Sequence, residues 1–237
     1  MKIKSGDLIS HVEKASMGGL VNEMVLDEKF TFAVTDESRS VLAFGKKEFV
    51  SDLGEIGVFN LLLFKNLIQY ASTVANAQDD DLNVSVVEKR LVFSNGKNAV
   101  KFLLCNVKTI SSKIDNIEET LKKLQGKECA SIVLGKVDVS RCIGAISIIN
   151  PEEILLSVKN GEVSCLIGKE VEHNTLLNLG KTNSSLSFDI RIKPDLFTKV
   201  LQVLPTDVDV TLELREKFPI IFSSEEYVFA ISPIRED

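Results

Sequence analysis

The sequence lacks most of the residue patterns that carry catalysis or bind metals. Its two histidines, His11 and His173, have no second ligand at a spacing typical of zinc sites. The four cysteines include no CxxC pair, and each stands alone among apolar residues, where a free thiol behaves as a small hydrophobic group. No GxxxxGKS/T or GxGxxG segment occurs, so no nucleotide-binding loop is expected. We therefore predict no cofactor, no metal site and no catalytic residue.

Long apolar segments are also absent. No run approaches the ~20 residues that a membrane-spanning helix needs, and residues 1–7 lack the apolar stretch of a signal peptide. Apolar residues nevertheless make up 44% of the chain, enough for a sizeable folded core. We expect a soluble intracellular protein with no membrane partner.

The charge balance is acidic. With a net charge of −6, the chain is a poor candidate for tight binding to nucleic acid over its whole surface. Such binding remains compatible with this charge if the basic residues are gathered on one face.

Most of the chain has the pattern of β-strands, because β-branched and aromatic residues alternate with polar ones between short turns. Strands at this density favour antiparallel sheets joined by hairpins. Four segments instead have apolar residues three or four positions apart, which predicts helices. They lie at about residues 6–17, 65–77 and 138–149, and from Pro194, a residue suited to a first helical turn.

The two halves of the sequence resemble each other. Residues 59–68 parallel residues 188–197 at an offset of 129, and residues 91–94 match residues 220–223 at the same offset. Each copy reads as a strand, a helix and three strands. The alternative is that any two strand–helix–strand segments look alike, but a duplicated domain accounts better for the shared offset.

Between the halves lies the longest charged stretch with few strand-forming residues. Its apolar residues are spaced three, four and three apart, which permits a short amphipathic helix: Ile114, Ile117, Leu121 and Leu124. We interpret this stretch as an interdomain connector. The predicted division is an N-terminal domain of residues 1–109, a connector of residues 110–128 and a C-terminal domain of residues 129–237.

The sequence resembles one protein family over nearly its whole length. Residues 188–201, FDIRIKPDLFTKVL, look like the strand and inner helix of proliferating cell nuclear antigen, and residues 218–222 and 227–234 are similar to that family's last strands and tail. Residues 35–42 look like the loop and strand beside a partner-binding pocket, and residues 155–163 resemble a hairpin of the T-even phage clamp. The resemblance is therefore to the DNA sliding clamps, which are polymerase processivity factors.

This resemblance implies an α+β fold with two similar clamp domains, each made of antiparallel sheets and two inner helices. Clamp rings contain six such domains, so a chain with two implies a closed ring of three identical subunits. The implied function is non-enzymatic: the ring encircles duplex DNA and tethers the replicative DNA polymerase after an ATP-dependent clamp loader has placed it there. The implied location is the cytoplasm of a bacterial or phage-infected cell, or the nucleus of a eukaryote.

In the clamp architecture the helices line the central hole, so the resemblance implies that cations on or just before the four helices face DNA. These cations are Lys4, Lys14, Lys65, Lys136, Arg141, Lys193 and Lys199. A few phosphate contacts per subunit attract DNA weakly and without sequence preference, which permits sliding. The alternative is that each of them is an ordinary solvated helix residue.

Clamp partners insert an apolar anchor into a pocket between the domains. By position, the resemblance assigns this pocket to one strand residue, two connector residues and the C-terminal segment, namely Leu42, Leu121, Leu124, Phe229, Ile231, Pro233 and Ile234. For Phe229 and Ile231, a plain core position is the alternative.

Two other functions stay open from sequence. One is a subunit of a heteromeric or non-ring processivity or checkpoint clamp. The other is an α+β enzyme that uses Cys142 or the acidic turn Asp79, Asp80 and Asp81, although consecutive acids before a strand are more often a solvated turn. His11, on a predicted helix, is assigned to the surface or to a DNA-facing position.

Overall fold

A strand, a helix, four strands, a second helix and three strands follow one another twice along the chain. The computed structural model describes residues 1–49, 51, 53–74, 81–95, 98–125, 127–169, 171–205 and 207–234, and at positions 74, 95, 118, 124 and 125 it describes the backbone alone. These residues form two compact units. Unit 1 consists of Met1–Ser38 and Ala43–Asp115, and unit 2 consists of Arg39–Leu42 and Asn116–Asp237.

The first series of elements builds unit 1, apart from the first residues of its fourth strand. It comprises β1 (Lys2–Lys4), α1 (Ser5–Ser16), β2 (Glu23–Leu26), β3 (Phe32–Thr35), β4 (Val41–Gly45), β5 (Ile56–Phe59), α2 (Leu61–Val74), β6 (Asp81–Val87), β7 (Arg90–Asn95) and β8 (Asn98–Leu103). Strands β1, β6, β7 and β8 form one antiparallel sheet in that order, and β2 pairs antiparallel with β5.

Unit 2 contains the second series, preceded by a short helix. Its elements are α3 (Ile117–Gln125), β9 (Ala130–Leu134), α4 (Lys136–Ile149), β10 (Ile154–Lys159), β11 (Glu162–Ile167), β12 (Thr175–Lys181), β13 (Phe188–Ile192), α5 (Pro194–Val203), β14 (Val210–Leu214), β15 (Ile220–Ser223) and β16 (Tyr227–Ile231). One antiparallel sheet has the order β12-β11-β10-β13 and another has the order β16-β15-β14-β9. Arg39–Leu42 lies at the β16 end of the second sheet, where the backbone N–H of Ser232 donates to the carbonyl oxygen of Ser40 at 2.8 Å.

The same aromatic pair occupies the core of each unit. In unit 1 the ring of Phe64, on α2, lies 5.8 Å from that of Phe93, on β7. In unit 2 the ring of Phe197, on α5, lies 6.1 Å from that of Phe222, on β15. All four side chains are buried, and each such burial stabilises the fold by roughly 1.5–3 kcal/mol. Helix and sheet therefore meet through equivalent residues in the two units.

The four predicted helices are confirmed as α1, α2, α4 and α5. The start of the second was predicted four residues too late, because α2 begins at Leu61. The side-chain oxygen of Asn60 accepts a hydrogen bond from the N–H of Leu63 at 3.0 Å, which caps the helix earlier than its apolar spacing indicates. The helix from Pro194 begins at that residue, as predicted.

The offset of 129 fits only part of the repeat. It fits the first residues of two strand pairs, since β6 begins at Asp81 and β14 at Val210, and β8 begins at Asn98 and β16 at Tyr227. Between them, β7 and β15 begin 130 residues apart, at Arg90 and Ile220. The helices α2 and α5, however, begin 133 residues apart, at Leu61 and Pro194. A shift of four is close to one helical turn, so it preserves the apolar face and hides the misalignment from sequence.

The predicted connector contains the short helix that its spacing permits, α3. Ile117 is buried and Leu121 is half-buried, whereas the side chain of Leu124 lies outside the described part of the chain. The preceding residues belong to unit 1, because Ile114 N–H donates to the carbonyl oxygen of Ala33 at 3.0 Å. No described helix is long and apolar enough to cross a membrane.

Candidate functional site

Two of the three cations predicted on the unit 1 helices are held by neighbouring side chains. Lys4 is exposed just before α1. Lys14 is half-buried and donates to the hydroxyl of Ser10 at 2.7 Å. The ammonium of Lys65, on α2, lies 3.2 Å from a carboxylate oxygen of Glu13, on α1. These contacts direct both lysines along the helix surfaces, and an ion pair this exposed contributes little to stability.

The cations predicted in unit 2 are more exposed. Lys136 begins α4, and Arg141 follows on the same helix with its guanidinium 4.0 Å from Asp138. Lys193 is exposed at the residue before α5, and Lys199 is half-buried on that helix. The salt bridge of Arg141 is long and solvated, so the guanidinium keeps most of its capacity to bind an anion.

The helices as a group carry the opposite charge to the chain. Residues 4–16, 61–74, 136–149 and 193–203 contain the seven predicted cations and four acids, Asp7, Glu13, Asp138 and Asp195, which gives a net charge of +3 within a chain of −6. The remaining residues therefore carry −9. Positive charge is concentrated on the repeated helices, as a surface that attracts phosphates requires.

The exposed faces of these helices also carry apolar side chains that sequence reasoning assigned no role. Leu62 and Tyr70 are exposed on α2, and Val137 and Ile148 are exposed on α4. Between the last two lies Gly144, where an added Cβ would meet no described heavy atom within 4 Å. The faces are thus only lightly charged.

The residues predicted for the partner pocket separate into core and surface. Phe229 and Ile231 are fully buried in β16, so both belong to the core. Leu42, Pro233 and Ile234 are half-buried. The N–H of Ile234 donates to the carbonyl oxygen of Arg191 at 2.8 Å, which holds the C-terminal segment against β13.

A groove of about 670 Å³ opens beside this C-terminal segment in unit 2. Of the predicted pocket residues it includes Pro233 and Ile234; it is otherwise lined by Leu155, Asp189, Ile190, Arg191, Glu216, Lys217, Pro219 and Ser232. Sequence reasoning did not assign these residues to a pocket, although Pro219 and β13 lay in the segments that carried the family resemblance. They come together because β13 and the turn after β14 are both adjacent to the C-terminal segment.

Asp189 is an ionised group at the edge of this groove. Its carboxylate lies 3.0 Å from the ammonium of Lys159. Burial opposes its ionisation, but the hydroxyl of Ser157 and the ammonium of Lys159 outweigh burial and lower the pKa of Asp189. The groove therefore combines apolar walls of Leu155, Pro219 and Ile234 with charged side chains of both signs.

Exposed apolar side chains lie on or beside several edge strands of the described sheets, among them β8 and β12. Among the described strands, β8 and β12 each pair on one side only. Beside β8 lie the exposed side chains of Leu103 on the strand and of Phe59, whose ring is 5.4 Å from that of Phe102 on β8. On β12, Leu176 is 66% exposed. Exposed apolar residues next to an unpaired edge are typical of a surface that another chain covers.

The histidine and cysteine hypotheses are corrected by burial. His11 was assigned to the surface or to a DNA-facing position, but it is fully buried and donates from Nε2 to the carbonyl oxygen of Phe30 at 2.8 Å. Cys142, the enzyme candidate, is also buried, so the structure does not present its thiol to a substrate. Asp81 is exposed at the start of β6, and Asp79 and Asp80 lie outside the described residues.

Comparison with solved structures establishes the fold. No protein-family model and no curated protein matches the sequence. The chain is similar along its whole length to PCNA of A. fulgidus bound to the C-terminal region of FEN-1, covering 98% of that chain with 15% identity and a TM-score of 0.74. The DNA polymerase III subunit beta of Pseudomonas aeruginosa matches 99% of the chain with 13% identity and a TM-score of 0.73.

The Helicobacter pylori beta clamp bound to a DNA ligase peptide matches the whole chain with 15% identity and a TM-score of 0.67. This chain spans 66% of the Pseudomonas subunit and 65% of the Helicobacter clamp, but 98% of the A. fulgidus PCNA. The protein thus has the sliding-clamp fold, as its sequence predicted.

Proposed function

We propose that this protein is one of three identical subunits of a DNA sliding clamp, a non-enzymatic ring that encircles duplex DNA and tethers a DNA polymerase. The observation that carries the proposal is the repeated series of strands and helices in a chain with the clamp fold. Two repeats per chain and six per ring give a trimer. An ATP-dependent loader would open the ring, in whichever compartment holds the DNA.

The internal repeat supports a specific way of closing the ring. In unit 2, Arg39–Leu42 lies beside the edge of β16. This segment includes the start of β4. Strand β8 has the same place in the first series as β16 has in the second, and β12 has the same place as β4. Repeating the pairing between chains brings β8 of one copy beside β12 of the next. The two surfaces differ, so the contact is head-to-tail, and it gives a closed ring when the rotation per subunit closes after three copies.

The exposed side chains support this pairing. Leu103 on β8 and Leu176 on β12 both project apolar surface to solvent in the single chain. Covering them in the ring removes that surface from water and pairs two strand edges that otherwise invite aggregation.

The ring is tested by mass in solution. The protein is expected to elute with the mass of three 26.2-kDa chains. Leu103→Asp and Leu176→Asp are each expected to give monomers, because a carboxylate is buried without a partner at the contact. Val208→Asp, at an exposed apolar residue outside both edges, is the matched control and should remain a trimer. A monomeric wild type at high concentration contradicts the proposal.

DNA contact is proposed for the positive helix surfaces. Replacing Lys14, Lys65, Arg141 and Lys199 together by alanine is expected to weaken retention on DNA and reduce its dependence on salt. A control replaces four lysines outside the repeated helices, Lys29, Lys89, Lys108 and Lys123, with the same change in net charge. Gly144→Lys, at an open position on α4, is expected to strengthen retention. Equal effects of the two fourfold variants contradict a DNA-facing role for the helices.

Topological binding is tested on duplex DNA attached to a bead at one end. The protein is allowed to thread onto the free end, which is then blocked with streptavidin, and the beads are washed in concentrated salt. A closed ring is expected to stay while the block is present and to leave once a restriction enzyme cuts the duplex. Loss of the protein in salt with the block in place contradicts encirclement.

The groove beside the C-terminal segment is the proposed docking site for the apolar anchor of the polymerase and the loader. Its apolar walls and its position at the C-terminal segment support this assignment. Ile234→Asp is expected to leave the trimer and DNA retention intact while abolishing stimulation of primer extension by the polymerase of the same cell. Full stimulation by this variant excludes the groove as the docking site.

A further inference from the structure

One face of the β1-β6-β7-β8 sheet of unit 1 is covered by α2. The ring of Phe64, on α2, lies 5.8 Å from that of Phe93 on β7 and 4.8 Å from that of Phe102 on β8. Side chains alternate along a strand, so the neighbours of the buried ones point to the opposite face, which we call the outer sheet face. On β1 this alternation places Lys2 and Lys4 there.

The outer sheet face is positively charged. Its charged residues are one acid, Asp81, and four cations, Lys2, Lys4, Arg90 and Lys101. The face therefore carries +3 in a chain whose net charge is −6. Within the described part of the chain, Lys2 and Lys101 form no ion pair, and the guanidinium of Arg90 lies 3.9 Å from Glu88 in an exposed contact. These three cations keep most of their capacity to bind an anion.

The matching face of unit 2 lacks cations. Strands β9, β14, β15 and β16 have the places in the second series that β1, β6, β7 and β8 have in the first, and they pair in the same order. Among the side chains of these described strands that point away from the core, Glu213 alone is charged. The same sheet thus forms with a charge of −1 on this face. The fold does not require the cations of unit 1, which favours a binding role for them.

Uncharged polar groups lie between these cations. By strand register, Asn83 and Ser94 are directly opposite each other on β6 and β7, and Ser85 follows on β6. Their amide and hydroxyl groups can donate to phosphate oxygens, as lysine and arginine do. The outermost strands β1 and β8 are three strand spacings apart, about 14 Å, which is close to the ~12 Å width of the major groove of B-DNA. The face therefore fits phosphates on the two sides of a groove.

Duplex DNA fits the outer sheet face better than a single strand or a protein does. Single-stranded nucleic acid is typically bound by stacking of its bases on aromatic side chains, and the described side chains of this face include none. A protein interface usually has its apolar residues at the centre and its polar residues at the rim. Here the two exposed large apolar side chains, Val87 and Leu103, lie at one end, both opposite Arg90.

We propose that the outer sheet face of unit 1 binds the phosphate backbone of duplex DNA, as a second DNA contact separate from the helix surfaces. The inference goes beyond the proposed clamp function and does not depend on ring closure, because the face belongs to a single unit. DNA bound here does not have to pass through a ring. The contacts are to phosphates, so binding is independent of sequence and sensitive to salt.

Binding is measured on a relaxed, closed circular duplex without a clamp loader, because a closed ring cannot thread onto it. The wild type is expected to shift the circle in a gel at low salt. The threefold variant Lys2→Ala, Arg90→Ala and Lys101→Ala is expected to bind about tenfold more weakly, with a salt dependence shallower by about 2–3 in the double-logarithmic slope. Asp81→Asn, which removes the acid of this face at nearly constant size, is expected to bind more tightly.

Matched variants show where the DNA binds. Replacing Lys29, Lys108 and Lys123 by alanine makes the same change in net charge and should leave binding to the circle unchanged. The fourfold helix variant described above should keep binding to the circle while losing retention on end-blocked duplex, and the threefold variant should do the opposite. Each variant is first checked for an unchanged unfolding midpoint.

Three results overturn the inference. One is a wild type that does not bind the circle at low salt, and another is equal binding by the wild type and the threefold variant. The third is binding of poly-glutamate through the same three cations in preference to the circle, which would identify an acidic protein as the partner. A monomeric protein that binds the circle through these cations would contradict the ring and support this inference.

Discussion

Arg215 donates from Nη2 to a carboxylate oxygen of Glu213 at 2.7 Å, and only 3% of the arginine side chain is exposed. Both residues lie on or just after β14. Within the described residues, Nε and Nη1 of Arg215 have no hydrogen-bond partner. A buried donor without a partner costs about 1–3 kcal/mol, so the unpaired donors of Arg215 lower the free energy of unfolding.

The two members of this pair are expected to respond differently to substitution. Glu213→Ala leaves a buried cation uncompensated and is expected to lower the free energy of unfolding by about 3 kcal/mol. Arg215→Leu removes the charge together with its unpaired donors and is expected to be neutral or stabilising. Urea unfolding of the two variants distinguishes them, and a loss for Arg215→Leu as large as that for Glu213→Ala contradicts this account.

His11 is expected to make the protein sensitive to mild acid. Its ring packs edge-on against Phe32 at 4.6 Å and Phe49 at 5.2 Å. Burial is the largest cause that lowers the pKa of His11 from 6.5 to about 4, against the opposing hydrogen bond to Phe30. The unfolded chain therefore binds this proton more tightly. The contribution of His11 is complete above pH 6.5 and is lost as the pH falls towards 4, by about 3 kcal/mol in total.

Matched variants isolate this effect from the carboxylates that titrate in the same range. The free energy of unfolding is measured between pH 7.5 and 4.5. His11→Gln is expected to have a shallower pH dependence than the wild type, whereas His173→Gln, at an exposed loop residue, should follow the wild type. Identical slopes for all three proteins would show that His11 binds its proton normally in the fold.

Two glycines are expected to give opposite results when replaced by alanine. A Cβ at Gly45 would lie 2.4 Å from Cε1 of Phe32 and 2.9 Å from Cε1 of His11. This crowding is expected to destabilise Gly45→Ala by about 1–3 kcal/mol. Gly144, on α4, is open, and alanine there should stabilise by up to about 1 kcal/mol through helix propensity. Thermal unfolding of both variants is the measurement: the unfolding midpoint should fall for Gly45→Ala and rise for Gly144→Ala.

Glu23 is expected to hold the chain that leads out of unit 1. Its Oε1 accepts from the N–H of Ser111 at 2.6 Å, from the hydroxyl of Ser111 at 2.9 Å and from the N–H of Ser112 at 3.2 Å. Glu23→Ala leaves these donors to water and is expected to speed hydrogen exchange at Ser111 and Ser112. Glu55→Ala, which removes a carboxylate 2.6 Å from Lys113, is the neighbouring control and should leave those two amides protected.

Some of this structure was predictable because it is local. The apolar spacing of α1, α4 and α5, the proline at the start of α5 and the helical spacing in α3 all report periodicity along a few turns of chain. The start of α2 was not predictable from apolar spacing, because the hydrogen bond from the N–H of Leu63 to the side chain of Asn60 decides it. The repeat was found, but its offset was misplaced at the helices, where a shift by one turn leaves the same residues facing the core.

The candidate site was less accessible to sequence reasoning. The cations of the helices were identified, but the ion pair of Lys65 with Glu13 joins residues 52 positions apart. The groove likewise depends on Asp189, Pro219 and Ile234 meeting in space. His11 has the sequence context of a surface helix residue, and only the packing of Phe32 and Phe49 around it shows that it belongs to the core.

The sequence by itself determined the class of elements, their duplication and the concentration of positive charge on the helices, because these are properties of spacing and composition. Tertiary structure alone decided which cations are paired, which residues line the groove and which strand edges remain open. The physical reason is that each of these depends on the approach of residues far apart in the chain, through strand register and helix packing, and short-range periodicity does not specify that approach.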